Sequence, residues 1–229
     1  ALMHDPLLRS TDALRGLFHR SVIVTEADRD RAFYDEINFR LQSDESAVED
    51  CLFLNAQNWQ TIPRIAKPLR SIGIPAAGIM DIDVIAAEHG WDNIYEMLSV
   101  TELQADDLEQ ERLILRKKML KLSKIDGKPA YKVNGVKAMK LCDRKRLKNF
   151  IDQLSQFGLF IVDVGEVERW LQDLGVTNVT KRDWLTAMFD ALGRDPSCAS
   201  YSAPAAGDVW DFLRKIATWT ADPAREGIP

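Results

Sequence analysis

"SVIVTEADRDRAFYDEINFRLQ", residues 21–42, decides the fold. After Ser21, its next four residues are apolar or β-branched without alternation, and Glu26 closes the run. That pattern reads as a strand buried on both faces, as in a parallel sheet. The remainder puts Phe33, Ile37 and Leu41 on one stripe at helical spacing. A doubly buried strand running straight into an amphipathic helix is the first half of a βαβ unit. "DCLFLNA" (50–56) supplies a second strand. "WQTIPRIAKPLRSIG" (59–73) is the next helix, interrupted by Pro63 and Pro68 and closed by Gly73. "IPAAGIMDID" (74–83) is the third strand. The alternation predicts an α/β fold, with a mostly parallel four-stranded sheet joined by right-handed crossovers and flanked by helices.

The alternation breaks after residue 90. Residues 91–123 have helical period, from Ile94, Met97 and Leu98 to Leu108, Leu113, Leu115 and Leu120. "KPAYKVNGVKAMKL" (128–141) carries Asn134-Gly135 between short runs, which predicts a hairpin. "DRKRLKNFIDQLSQFG" (143–158) is a helix, and "LFIVDV" (159–164) returns as a strongly apolar fourth strand. "EVERWLQDLG", "TKRDWLTAMFDALG" and "DVWDFLRKIATW" read as helices, with a loop at 197–206. The expected division is therefore 1–90 for the first three strands and 91–150 for a basic, mainly helical insertion. Residues 151–192 follow as the last strand and a helix, and 193–229 as a helical C-terminal segment. Trp91, Trp170, Trp184, Met188, Phe189, Leu192 and Trp210 read as packing residues.

At 229 residues the chain suits one large domain or a domain with an insertion. No run of about 18 apolar residues is present, so no membrane span is expected. The opening segment lacks a basic stretch followed by an apolar one, so no secretory signal is read and the expected location is cytoplasmic. Without an initiating Met, the chain is expected to be a piece of a longer polypeptide. Cys51, Cys142 and Cys198 share no motif spacing and read as reduced thiols. His4, His19 and His89 are scattered, which argues against a zinc site.

The net charge of −5 is unevenly spread. Residues 112–148 hold 14 Lys and Arg against two acids, Asp126 and Asp143, for a local charge of +12; the rest of the chain then carries −17. A basic face beside an acidic body points to a polyanion such as DNA, with Lys117, Lys118, Lys121, Lys124, Lys145 and Arg146 as the contacts.

Acidic residues gather where a parallel sheet binds its ligands, beyond the carboxyl ends of the strands. Glu26 follows strand one and Asp30 lies in the first turn of the next helix. Asp81 and Asp83 are two apart at the end of strand three, where alternation would aim both the same way. Glu166 and Glu168 follow strand four. Six carboxylates at one patch repel, and each raises its neighbours' pKa. Hard divalent cations relieve that repulsion, and oxygen-only ligands favour Mg²⁺ or Mn²⁺. Two such ions about 4 Å apart suit phosphodiester cleavage.

"VIVTEADRD" followed by "GIMDIDVI" resembles the Toprim signature of a strand-end glutamate and a later D-x-D. "GEVERWL" followed by "KRDWL" is similar to the corresponding stretch of OLD (overcoming lysogenization defect) family nucleases, which carry Toprim behind an ATPase. The resemblance covers roughly residues 20–192. It implies a metal-dependent DNA endonuclease or nickase, with Glu26, Asp30, Asp81, Asp83, Glu166 and Glu168 on two Mg²⁺ or Mn²⁺ ions. Ca²⁺ would be a non-catalytic substitute. It implies that Lys181 stabilises charge on the scissile phosphate, beside Glu26, Asp81 and Asp83 as the catalytic set. It further implies an N-terminal ATPase domain in the same polypeptide, dimeric when complete, the present piece being monomeric. Two features depart from the pattern. Ala27 stands where the family has glycine, and no G-x-x-x-x-G-K-[ST] motif is present.

Two other readings stay open. A haloacid-dehalogenase-like phosphatase would use Asp81 as nucleophile, but it places its aspartate pair on the first strand. A non-catalytic Toprim-like module would bind DNA and leave cleavage to a partner. Lys181 also has a plain alternative, because "TKRD" resembles a capping box with Thr180 as N-cap and Asp183 as the N3 acid.

Overall fold

The computed structural model of the chain describes residues 12–177 and 179–228. Residues 1–11, with His4 and most of the segment read for a secretory signal, lie outside the described residues. Four strands, β1 (Ser21–Thr25), β2 (Cys51–Asn55), β3 (Ala76–Asp81) and β6 (Leu159–Val162), form one sheet in the order β2-β1-β3-β6. Every neighbouring pair is parallel. This is the Rossmann-like arrangement that the strand–helix alternation predicts.

Strand alternation divides the core. Val22, Val24, Met80, Leu159 and Ile161 face a layer made by α2 (Ile62–Arg70), α3 (Trp91–Leu98), α4 (Glu102–Met119) and α6 (Leu141–Gln156). Ile23, Phe53, Ile79, Phe160 and Val162 face the opposite layer of α1 (Asp28–Leu41), α7 (Trp184–Leu192) and α8 (Asp208–Ala221). Trp91, Trp170, Trp184, Met188, Leu192 and Trp210 are buried in these layers, as packing residues should be. Among the described residues no helix is long and apolar enough to cross a membrane.

At the amino edge of the sheet, the fully buried guanidinium of Arg70 donates to the carbonyls of Ala76, Met97, Phe157, Gly158 and Gly227. Burial pulls its pKa down to about 9. The helices α3, α4 and α6 belong to an enlarged crossover from β3 to β6, and residue 150 falls inside α6.

Several local expectations are corrected. The hairpin is not at Asn134-Gly135, where a short helix, α5 (Ala130–Asn134), runs into a 3-10 turn. It lies earlier, pairing β4 (Lys124–Ile125) with β5 (Lys128–Pro129) around Asp126 and Gly127. Both turn residues have positive φ, 49° and 79°, which a type I′ turn demands. "EVERWLQDLG" is not a helix but two 3-10 turns, Val167–Arg169 and Gln172–Leu174. Burial of Trp170 and Leu171 breaks it, with Leu171 at φ 52° and its N–H donated to the Asp208 carboxylate. The third strand stops at Asp81, and Asp83 sits in the 3-10 turn Ile82–Ala86, so strand alternation does not govern the pair.

Candidate functional site

The carboxyl edge is built from the strand ends. After β1, Thr25 anchors the turn by donating to the carbonyls of Leu54 and Ala27, both at 3.1 Å. Ala27 has φ −134° and ψ 162°, an extended geometry open to any residue, so alanine fits where the family pattern has glycine. Ala27 donates its N–H to Asp30 Oδ2 at 3.2 Å. Glu26 reaches the neighbouring strand and accepts the N–H of Asp81 at 2.7 Å.

Four cationic side chains stand among the carboxylates. Lys132 pairs with Asp83 at 2.5 Å. Lys128 donates to Glu166 at 2.8 Å. Lys181 lies 3.2 Å from Glu166 and 3.6 Å from Glu168. Arg29 lies 3.2 Å from Glu168 and 3.7 Å from Asp30.

Lys128 and Lys132 reach the site because the arm that carries them is pressed against the loop after β6. A Cβ on Gly135 would lie 1.9 Å from the Asp163 carbonyl oxygen, and one on Gly165 would lie 2.4 Å from that of Lys132. Both have positive φ, 53° and 119°, so only glycine allows this approach. The N–H of Val136 seals it by donating to Asp163 O at 2.8 Å.

The electrostatics link all six carboxylates. Burial pushes Glu26 up to about 7, assisted by the charges of Asp83 and Asp30 and opposed by the Asp81 N–H. Burial likewise lifts Asp30 to about 6, Arg29 opposing and Glu168 assisting. Asp81 is raised well above the carboxylate range by burial, and then by Glu26, Asp30, Asp83 and Glu166. Glu166 goes the other way: burial would raise it, but Lys128 and Lys181 outweigh burial and its pKa falls.

The predicted carboxylates and Lys181 therefore occupy one place. Thr180 accepts the backbone N–H of Asp183 at 3.3 Å and donates its hydroxyl to the Asp183 carboxylate at 2.7 Å, but the reciprocal contact of a capping box, from the Thr180 backbone N–H, is not made. The helix itself begins one turn later, at Trp184 with Asp183 as its N-cap. Lys181 is left half-exposed on the preceding turn, against the two glutamates.

The basic segment is divided. Lys117, Lys121, Lys124 and Lys145 are exposed and make no ion pair with a described residue. Lys118 is engaged by Asp143, and Arg146 grips Glu111 with two bonds of 2.5 and 2.6 Å. The sequence reading missed Arg29, Lys128 and Lys132. Lys128 and Lys132, four residues apart, fall within the basic run but are not among the contacts read from it, and no local signal ties them to the acids.

Among the described residues no group of three or more His, Cys, Asp and Glu side chains is arranged to hold a metal ion. The donor chemistry nonetheless fits a hard cation, being all oxygen. Asp30 Oδ1 and both carboxylate oxygens of Glu168 are buried without a hydrogen-bond partner. Arg29, 3.7 Å from Asp30 Oδ1 and 3.2 Å from Glu168 Oε1, and Lys181, 3.6 Å from Glu168 Oε1, supply positive charge beside two of these three oxygens. Comparison with family models, curated proteins and solved structures gives no match for the chain.

Proposed function

We propose that this chain is the Toprim-type catalytic region of a metal-dependent nuclease that hydrolyses phosphodiester bonds in DNA. One observation carries the reading. Glu26, Asp30, Asp81, Asp83, Glu166 and Glu168 meet at the carboxyl edge of one parallel sheet, with three buried oxygens that accept no hydrogen bond. Glu26, Asp30, Asp81 and Glu168 would hold Mg²⁺ or Mn²⁺. When bound, such a cation supplies charge stabilisation at phosphate oxygens and a more acidic water. Lys181 presents its ammonium beside the carboxylates, where a scissile phosphate would gain negative charge. Lys117, Lys121, Lys124 and Lys145 track the DNA backbone. Any ATP dependence, and dimerisation of the complete protein, would come from an ATPase domain elsewhere in the polypeptide.

The four cations already partnering the carboxylates favour one alternative, a module that binds DNA without cutting it. Incubation with supercoiled and linear DNA separates the two. Cleavage with Mg²⁺ or Mn²⁺ that stops on adding chelator is expected. Metal-replete protein that leaves both DNA forms intact, while binding them equally in chelator, supports the non-cleaving module instead.

A further inference from the structure

The helix α4 packs by one face and leaves the other in solvent. Its inner face buries Leu108, Arg112, Leu115 and Met119. The outer face carries Leu103, Asp106, Gln110, Leu113, Lys117 and Leu120, at alternating spacings of three and four residues. That is the spacing of a seam between paired helices. All six are exposed, Leu103 at 79% and Leu120 at 55%. Leu120 lies just past the last helical residue but keeps helical angles, φ −67° and ψ −17°, so the stripe reaches it unbroken. Asp106 and Lys117 make no ion pair with a described residue.

The stripe reads in mirror order from its two ends. About the midpoint between Glu111 and Arg112, Leu103 mirrors Leu120, Asp106 mirrors Lys117, and Gln110 mirrors Leu113. A second α4 laid antiparallel on this face, about a two-fold axis through that midpoint, sets leucine on leucine and Asp106 against Lys117. The symmetry makes each pair twice. The signs also choose the direction. A parallel pair would stack Asp106 on Asp106 and Lys117 on Lys117, and like charges there repel. Glu102 and Lys121, exposed beside the two ends of the stripe, carry the same opposition of sign. A single exposed leucine is ordinary, but here apolar and charged positions recur symmetrically along one seam.

We propose that α4 is a self-association surface, on which a second copy of this chain docks antiparallel to form a two-fold dimer. One helix pair is a small interface, so the dimer is weak and concentration-dependent. The contact is separate from any dimerisation supplied by an ATPase domain. It covers Lys117 and Lys121, so a second copy and DNA exclude one another on this helix. That competition rests on the reading of these lysines as DNA contacts; the pairing itself does not.

Sedimentation equilibrium of the chain without DNA, at concentrations up to about 1 mM, tests the pairing. Wild type should show a monomer–dimer equilibrium. Asp106→Lys and Lys117→Asp should each weaken it by about 10-fold or more, because the two-fold axis makes every such change twice. Combining the two substitutions restores opposite charges and should return the affinity to within about 3-fold of wild type. A wild type that stays monomeric overturns the proposal. So does a dimer that either single reversal leaves unchanged, or a combined variant no tighter than the single ones. Circular dichroism checks that each variant is folded. Should a charge variant fail to fold, Leu120→Ser, outside the helix proper, decides: a weakened dimer supports the proposal, and an unchanged one overturns it. Adding duplex DNA to the wild-type dimer should release monomers bound to DNA. A dimer that binds DNA intact overturns the competition alone, whereas a chain that binds no DNA overturns the DNA reading and leaves the pairing standing.

Discussion

Glu26 accepts the backbone N–H of Asp81 at 2.7 Å, so the carboxylate following β1 is oriented by the residue that ends β3. The hydrogen bond favours the ionised form of Glu26, yet burial outweighs it and the group titrates at about 7. The folded chain therefore holds a proton that the unfolded chain has released.

Metal-free protein should lose stability as pH rises. Glu26 and Asp30 have folded pKa values near 7 and 6, above their ordinary 4.5 and 3.8. Their protonation stabilises the fold fully below the ordinary values, and that contribution is lost as pH rises through the folded ones. Thermal melts in chelator should show a falling Tm from about pH 4.5 to 7, with a shallower fall in Glu26→Gln. A Tm that rises across this window contradicts the assigned burial.

Asp81→Asn should abolish cleavage and leave the fold intact. In chelator at pH 8 the variant should melt higher than wild type, by about 2–4 °C for each 1 kcal/mol of repulsion removed. Cleavage at the wild-type rate would place the chemistry elsewhere.

Lys181→Ala should lower single-turnover cleavage about 100-fold or more, the scale for losing one preorganised electrostatic partner. DNA affinity should change little, because the contact strengthens only as charge develops. A surface lysine of no consequence would instead leave the rate unchanged and stability within about 0.5 kcal/mol.

Reversing charge at Lys117, Lys121, Lys124 and Lys145 should weaken DNA binding and flatten its salt dependence, by about 0.9 in log–log slope for each phosphate no longer neutralised. Lys118 and Arg146 should behave differently. Their partners Asp143 and Glu111 are within the protein, so their reversal should lower Tm more than it alters the salt slope. Equal slopes for all the variants would mean that the exposed lysines do not track phosphates.

The sheet was legible because β1, β3 and β6 are unbroken apolar runs, and the six carboxylates because each follows such a run. Where the reading failed, distant packing had overridden a local signal. Asn134-Gly135 has the dipeptide of a hairpin, but Gly135 is spent on close approach to Asp163. The true turn, Asp126-Gly127, is flanked by strands of two residues, too short to show alternation. Nothing local announces that Lys132 will meet Asp83, some fifty positions away along the chain.

Arg70 has a consequence for the order of assembly. Its guanidinium is satisfied by carbonyls 6, 27, 87, 88 and 157 positions away. A nascent structure of β1, α1, β2 and α2 alone would bury this cation with all five of these partners missing, a penalty of several kcal/mol. Such a half-formed sheet should not accumulate. The charge stays in water until β6 and the segment at Gly227 arrive, which couples early and late parts of the chain into one cooperative step. Folding should accordingly be slow for the chain's helical content, limited by closure of long loops instead of by helix formation.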